Sequence, residues 1–286
     1  MTAGPVELTC AGRVVAEYVT RPDLPAALSP RPYFHPVRTF AGTEVTELTP
    51  ADHRHHLGVS IAVPDVGGRN FWGGRTFVRG RGPTWLDNHG VQRHLSWAGR
   101  AAGAFTETLA WIGADGEAAL RERRDVRAVA AGDHWALDVA FTLTNATRGP
   151  LRIGSPATNG RPGAGYGGFF WRAPGASAGL RVRTPHAEGE QAVHGARADW
   201  LALTGTAPDG RAWTLAFLPA DAATAADPWF VRVAEYPGVG SSLAWERSLQ
   251  VPPGGSVARR IVTVVADGHL SDAEIGKLRE ALCPAR

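Results

Sequence analysis

The chain has very little lysine, methionine or cysteine: Lys277 and Met1 stand alone among 286 residues, and Cys10 and Cys283 lie at opposite ends. With no CxxC or other close cysteine spacing, a zinc knuckle or dithiol redox motif is excluded and two free thiols are expected. No apolar run approaches the roughly 18 residues that a membrane span requires. Met1 to Arg13 has no apolar stretch followed by a cleavage-like site, so a cytoplasmic location is expected. Basic charge comes almost wholly from arginine, and no basic run is longer than Arg123-Arg124 or Arg259-Arg260. With a net charge of only +3, no stripe that could track a phosphate backbone is visible, and nucleic acid is not an expected partner. Neither a GxSxG elbow, an HExxH helix nor a phosphate loop occurs.

What is present is glycine, proline and β-forming sequence. Short alternating or β-branched segments recur from end to end, among them Val6–Cys10, Val14–Tyr18, Val59–Val63, Phe105–Ile112, Trp135–Leu143, Trp213–Phe217 and Ile261–Val265. Turn residues separate nearly all of them. In the clearest case Trp135, Leu137, Val139, Phe141 and Leu143 share one face, with Asp138, Thr142 and Thr144 on the other, as a strand packed on a core requires. Ala114-Asp115-Gly116 and Pro208-Asp209-Gly210 read as hairpin turns, which implies antiparallel pairing. Only the tail reads as helix. Ser271 is a fitting N-cap, Glu274 completes a capping box, and Ile275, Leu278 and Leu282 form an apolar stripe that should pack on the sandwich edge. Gly154 to Gly179 reads as a long ordered loop. The expectation is an all-β chain, one domain over residues 1–286, folded as a large antiparallel β-sandwich with a short C-terminal helix. Its size and strand content are analogous to the mutarotase-like supersandwich.

The residues that could carry chemistry concentrate between positions 35 and 107. Asp52-His53-Arg54-His55-His56-Leu57-Gly58 holds three of the ten histidines. If the segment is extended, His53 and His55 share a face and His56 points away. An H-x-H pair can supply two metal ligands, so His53 and His55 are candidates for a divalent metal ion; neutral imidazole also serves as acid or base near physiological pH. Alternatively one of these histidines is core and another a solvated surface group. Around them stand Tyr33, His35, Arg38, Asn70, Trp72, Arg75, Trp85, Asp87, His89 and His94. Of these, Asp87 is a candidate catalytic carboxylate, and His35, Arg38, Asn70, Trp72 and His89 are candidate substrate contacts. Glu107 sits mid-strand, either as a solvent-face residue or as an inward-pointing base.

A second constellation runs from Asn159 to Arg172. Its glycines let backbone approach a ligand closely, and Arg161, Tyr166, Trp171 and Arg172 would form a binding lip; alternatively the glycines make bulges and Trp171 fills the core. A third candidate is Asp227-Pro228-Trp229-Phe230 leading to Tyr236-Pro237-Gly238-Val239-Gly240, followed by Trp245-Glu246-Arg247, with Glu246 as a reserve carboxylate; the favoured reading of this stretch is packing at the sandwich end.

Several of these stretches together resemble a bacterial family labelled PmoA-like, or methane oxygenase PmoA, also classed as a domain of unknown function. They are Asp52 to Gly58, Asn70-Phe71-Trp72-Gly73, Gly163 to Arg172, Ala198-Asp199-Trp200-Leu201-Ala202 and Pro228-Trp229-Phe230, spread from Pro32 to Asp267. The resemblance implies a soluble bacterial protein whose relatives accompany sugar-catabolic genes, including sugar oxidoreductases. It carries no catalytic residues over to this chain. A true particulate methane monooxygenase subunit is membrane-embedded, which this sequence does not match.

The leading expectation is an enzyme acting on a carbohydrate or oxidised sugar, as lyase, epimerase or glycoside-cleaving enzyme. His53, His55 or His56 would move a proton, Asp87 or Glu107 would orient or balance it, and a metal is an optional addition. The alternatives are a metal-dependent oxidoreductase, with iron or copper on His53, His55 and His35 or His89, and a non-catalytic carbohydrate-binding sandwich. In each case the partner is a small, sugar-like molecule.

Overall fold

Alternation of apolar side chains builds two large antiparallel sheets that face each other. The computed structural model describes residues 4–284. The first sheet has seven strands in the order Val6–Cys10, Arg13–Val19, Tyr33–Val37, Val59–Ala62, Gly168–Arg172, Gly238–Ser241 and Trp229–Arg232. The second has eight: Ala178–Arg183, Leu201–Thr206, Ala212–Pro219, Ser256–Asp267, His134–Asn145, Ala118–Ala131, Ala104–Ile112 and Val91–Ala101. Both expected hairpins form, joining Ala104–Ile112 to Ala118–Ala131 and Leu201–Thr206 to Ala212–Pro219.

The inner faces supply the main core. Trp135, Leu137, Val139, Phe141 and Leu143 face it from one sheet, and Phe169, Trp171, Val231 and Val239 from the other. Phe217 meets Trp171 at a centroid distance of 5.8 Å and Phe169 at 6.3 Å, so aromatic edges interlock across the layer. Each such fully buried side chain stabilises the fold by about 1.5–3 kcal/mol relative to exposure.

The outer faces are also covered. Ser271 and Glu274 cap Asp272–Leu282 reciprocally. This helix lies over the face of the eight-stranded sheet, not its edge, burying Ile275 with Ala202, Leu218, Val262 and Val264. The reason is in Ser256–Asp267, where Ile261 and Val265 face the main core while Val262 and Val264 are apolar on the opposite side. A strand apolar on both faces needs a cover on each.

The outer face of the seven-stranded sheet carries a third aromatic cluster of Ala62, Trp72, Phe170, Phe230 and Tyr236. Residues 154–179 are not one loop, because Gly168–Arg172 is a fully buried central strand. No helix among the described residues is long and apolar enough to cross a membrane.

Candidate functional site

A cavity of about 450 Å³ opens on that third cluster. Its wall is built mainly by residues 51–56 with the histidines, 72–75 after Asn70-Phe71, the glycine-rich stretch with Arg161 and Tyr166, and Phe230 to Tyr236, with Leu28, Pro83 and Trp85 completing it. A larger cavity of about 540 Å³ borders the edge strand Ala178–Arg183 and His269, but no Phe, Tyr or Trp lines it. The aromatic-walled cavity therefore has the stacking faces a small organic ligand requires.

The histidine segment is not extended. His56 N–H donates to the His53 carbonyl at 2.8 Å, His53 N–H to the Pro50 carbonyl at 3.0 Å, and Thr49 N–H to the His56 carbonyl at 2.9 Å, so the chain folds into consecutive turns. All three rings thereby come together, contrary to the two-faced arrangement a strand would impose. His53 stacks on His56 at 4.7 Å, His55 meets His56 edge-on at 4.8 Å, and His53 and His55 are 5.8 Å apart. The two rings expected to ligate a metal, His53 and His55, are inclined at 60° to each other. Among the described residues no group of three or more His, Cys, Asp or Glu side chains is placed to hold a metal ion.

Each ring has a distinct environment. His53 Nδ1 donates to Asp52 Oδ2 at 2.8 Å, so the ring nitrogen left for other contacts is Nε2. Burial opposes ionisation of Asp52, yet the His53 hydrogen bond and the nearby Arg172 hold its carboxyl below the usual value. Burial, reinforced by the Arg31 cation, pushes His55 down to about 3. Burial together with His55 and His53 holds His56 well below the ordinary histidine value, and its Nδ1 has no hydrogen-bond partner. His55 and His56 are neutral at physiological pH.

Two neighbours set His55 in place. The fully buried Arg31 guanidinium donates to the His55 carbonyl at 2.8 Å, to the Trp72 carbonyl at 3.0 Å and to Ser60 Oγ at 3.1 Å. None of its partners is a carboxylate, and burial, then repulsion from Arg124, lowers its pKa to about 9, leaving it charged. Gly74, at φ +69°, lies flat beside the His55 ring; a Cβ there would sit 3.0 Å from Cε1 and Nδ1.

Other expected site residues are distributed differently. Trp72, Arg161 and Tyr166 line the cavity as expected. Asn70 is buried behind it, its Oδ1 accepting from the Trp72 and Gly73 N–H groups at 2.8 and 2.9 Å, so it shapes the turn and touches no ligand space. His89 hydrogen-bonds the Gly74 carbonyl at 2.7 Å and braces the same turn. Trp171 points into the inter-sheet core, where Nε1 donates to the Val45 carbonyl at 2.8 Å; its neighbour Phe170 faces the site cluster instead. Arg172 lies just beneath the wall, paired with Glu47 at 2.9 Å and stacked 4.8 Å from the Tyr236 ring. His35 is engaged by Thr46 Oγ1 at 3.0 Å and Arg38 lies 3.8 Å from Glu17, both away from the cavity.

Neither proposed carboxylate is in the site. Asp87 is exposed and does not line the cavity. Glu107 faces inward but belongs to a buried network between the sheets: Tyr18 donates its hydroxyl proton to Glu107, His94 Nδ1 lies 2.6 Å from Glu107 Oε1, and Arg124 reaches Tyr18 at 2.9 Å and Glu122 at 2.7 Å. None of these residues lines the cavity. The carboxylate beside the histidines is Asp52, signalled in the sequence only by its adjacency to His53.

The stretch read as end packing contributes Phe230, Arg232, Glu235 and Tyr236 to the wall. Arg31 and Arg232 carry no local motif, and only the folded chain shows their place.

Fold and site together define a two-sheet antiparallel β-protein with a histidine- and arginine-lined cavity on one outer sheet face. The chain belongs to the family described as Family of unknown function (DUF6807), whose profile matches residues 5–280. No curated protein matches it. Among solved structures it is similar to a heparan sulfate lyase HepC mutant from Pedobacter heparinus, with a TM-score of 0.37 and 10% identity, over 90% of this chain and 34% of that one. The chain thus spans about a third of that protein's length.

Proposed function

We propose that the protein is an enzyme acting on a carbohydrate or oxidised sugar, in which His53 moves the proton and Asp52 orients it. The observation that carries this reading is the Asp52–His53 hydrogen bond at the cavity wall, which engages Nδ1 and leaves Nε2 for a ligand in a cavity also lined by Trp72, Tyr166 and Tyr236. Such faces stack on the C–H surface of a sugar ring, while arginines and tyrosine hydroxyls read its oxygens. His55 and His56 add neutral hydrogen-bonding groups that require no charge to be desolvated. Elimination, hydration, epimerisation and glycoside cleavage each include a step in which a proton is taken from, or given to, carbon or oxygen, and the dyad would carry out one such transfer, with the balancing proton exchanged with solvent or another cavity group.

The test is a turnover screen of neutral sugars and sugar acids with the wild type, His53→Gln and Asp52→Asn. A general acid–base role predicts a loss in kcat of about 100-fold or more in His53→Gln. Asp52→Asn, which removes the orienting charge, should fall in the same direction. Equal turnover by His53→Gln would sink the reading. Ligand binding without turnover by any of the three would point to a carbohydrate-binding sandwich.

A further inference from the structure

We infer that the ligand of this cavity is an anion, a sugar acid whose carboxylate is held between Arg161 and Arg232. The inference rests on the sugar-site reading above but needs no catalytic step.

Four arginines line the cavity, Arg54, Arg75, Arg161 and Arg232, against two carboxylates, Asp52 and Glu235. The wall therefore carries an excess of positive charge, and Asp52 is already engaged by His53. Among the described residues Arg54, Arg75 and Arg161 enter no ion pair, and the carboxylate nearest Arg232 is Glu190 at 3.8 Å. Beneath the wall lies Arg31, fully buried with only neutral partners. Like charges crowded around a partly dry cavity repel one another, and a bound anion relieves that repulsion.

The two arginines nominated are fixed on the same side. His194 Nε2–H donates to the Gly163 carbonyl at 2.7 Å, and its Nδ1 accepts from Val231 N–H at 3.1 Å, so one imidazole ties the Arg161 loop to the Arg232 strand. Tyr166, packed on Phe230 at 5.4 Å, lies within electrostatic reach of both guanidiniums. Arg232 stacks on Phe230 at 4.7 Å and its Nη1 donates to the Val231 carbonyl at 2.8 Å, which holds the guanidinium in place and leaves Nε and Nη2 as its donors without a protein partner among the described residues. A planar fork of donors matches a carboxylate, whereas the hydroxyls of a neutral sugar would leave the positive charge uncompensated.

The test compares matched pairs, galacturonate against galactose and glucuronate against glucose, by calorimetric titration into the full chain at low and high salt. The variants are Arg161→Gln, Arg232→Gln and, as a control on the opposite sheet, the exposed Arg127→Gln. Arg161 is itself exposed, so its replacement does not disturb the core. The acid of at least one pair should bind about tenfold or more tightly than its neutral twin. Its affinity should fall with added salt, drop about tenfold in each cavity variant and remain unchanged in Arg127→Gln. Equal affinity within each pair, binding of neither acid, or an acid affinity indifferent to both cavity arginines would overturn the inference. The two proposals fail separately: turnover of a neutral sugar that needs His53 would keep the acid–base reading and defeat this one. Arginine-dependent binding of a uronate without His53-dependent turnover would do the reverse.

Discussion

Acidification should destabilise the fold through the histidine cluster, and the size of the effect follows from the burial of His55. Unfolded, its imidazole takes a proton near the ordinary value of 6.5; folded, only near 3. Between those values the unfolded chain binds more protons than the native one, so stability falls as pH falls. Each pH unit in that window costs about 1.4 kcal/mol for one such group. Going from about pH 7 to about pH 5 crosses about 1.5 units of it, a loss of about 2 kcal/mol through His55. His56, depressed by burial and by its histidine neighbours, adds to the loss in the same direction.

The measurement is urea unfolding, followed by tryptophan fluorescence, of the wild type and His55→Gln at both pH values. The wild type should lose about 2 kcal/mol more than the variant over the interval. His35 and His194, also depressed by burial, titrate in both proteins and cancel in the comparison. A variant that loses as much stability as the wild type, to within about 0.5 kcal/mol, would refute the claim that His55 is buried and neutral.

Two further substitutions probe how the site is built. Gly58→Ala places a Cβ 2.1 Å from the Phe34 carbonyl oxygen at φ +45°, so the strand behind the histidines must shift; a loss above about 4 kcal/mol is expected, and a thermal melt within a few degrees of wild type would contradict it. Asn70→Ala removes the acceptor of two buried N–H groups and should cost about 1–3 kcal/mol in urea unfolding, with a change in near-ultraviolet circular dichroism as Trp72 loses its anchor. Unchanged stability and an unchanged Trp72 signature would show that the turn stands without it.

Much of the architecture was legible in the chain, but the site was legible only in part. Period-two alternation in Trp135–Leu143, the Asp-Gly turns and the Ser271–Glu274 capping box are local signals, and each formed as its chemistry requires. The clustering of His53, His55 and His56 marked the site, yet their convergence needed the turns at 50–56 that a strand reading misses. Gly168–Arg172 is buried on both faces, so alternation could not say that Phe170 faces the site and Trp171 the core. Glu107 looked ambiguous on a half-polar strand. Its role depends on Tyr18 and Arg124, distant in sequence and brought to it by sheet packing.

By itself, then, the sequence determined the strands with clear alternation, their turns, the terminal helix and the concentration of imidazole and guanidinium groups, because these follow from the periodicity and chemistry of neighbouring residues. The tertiary structure alone decided which sheet face is outer, that Asp52 and not Glu107 accompanies the histidines, and that Arg161 and Arg232 line one cavity with Arg31 buried behind its histidine wall. Those outcomes depend on contacts between residues tens to hundreds of positions apart. A local pattern repeats every two residues and cannot distinguish a face buried against the opposite sheet from a face buried beneath its own loops.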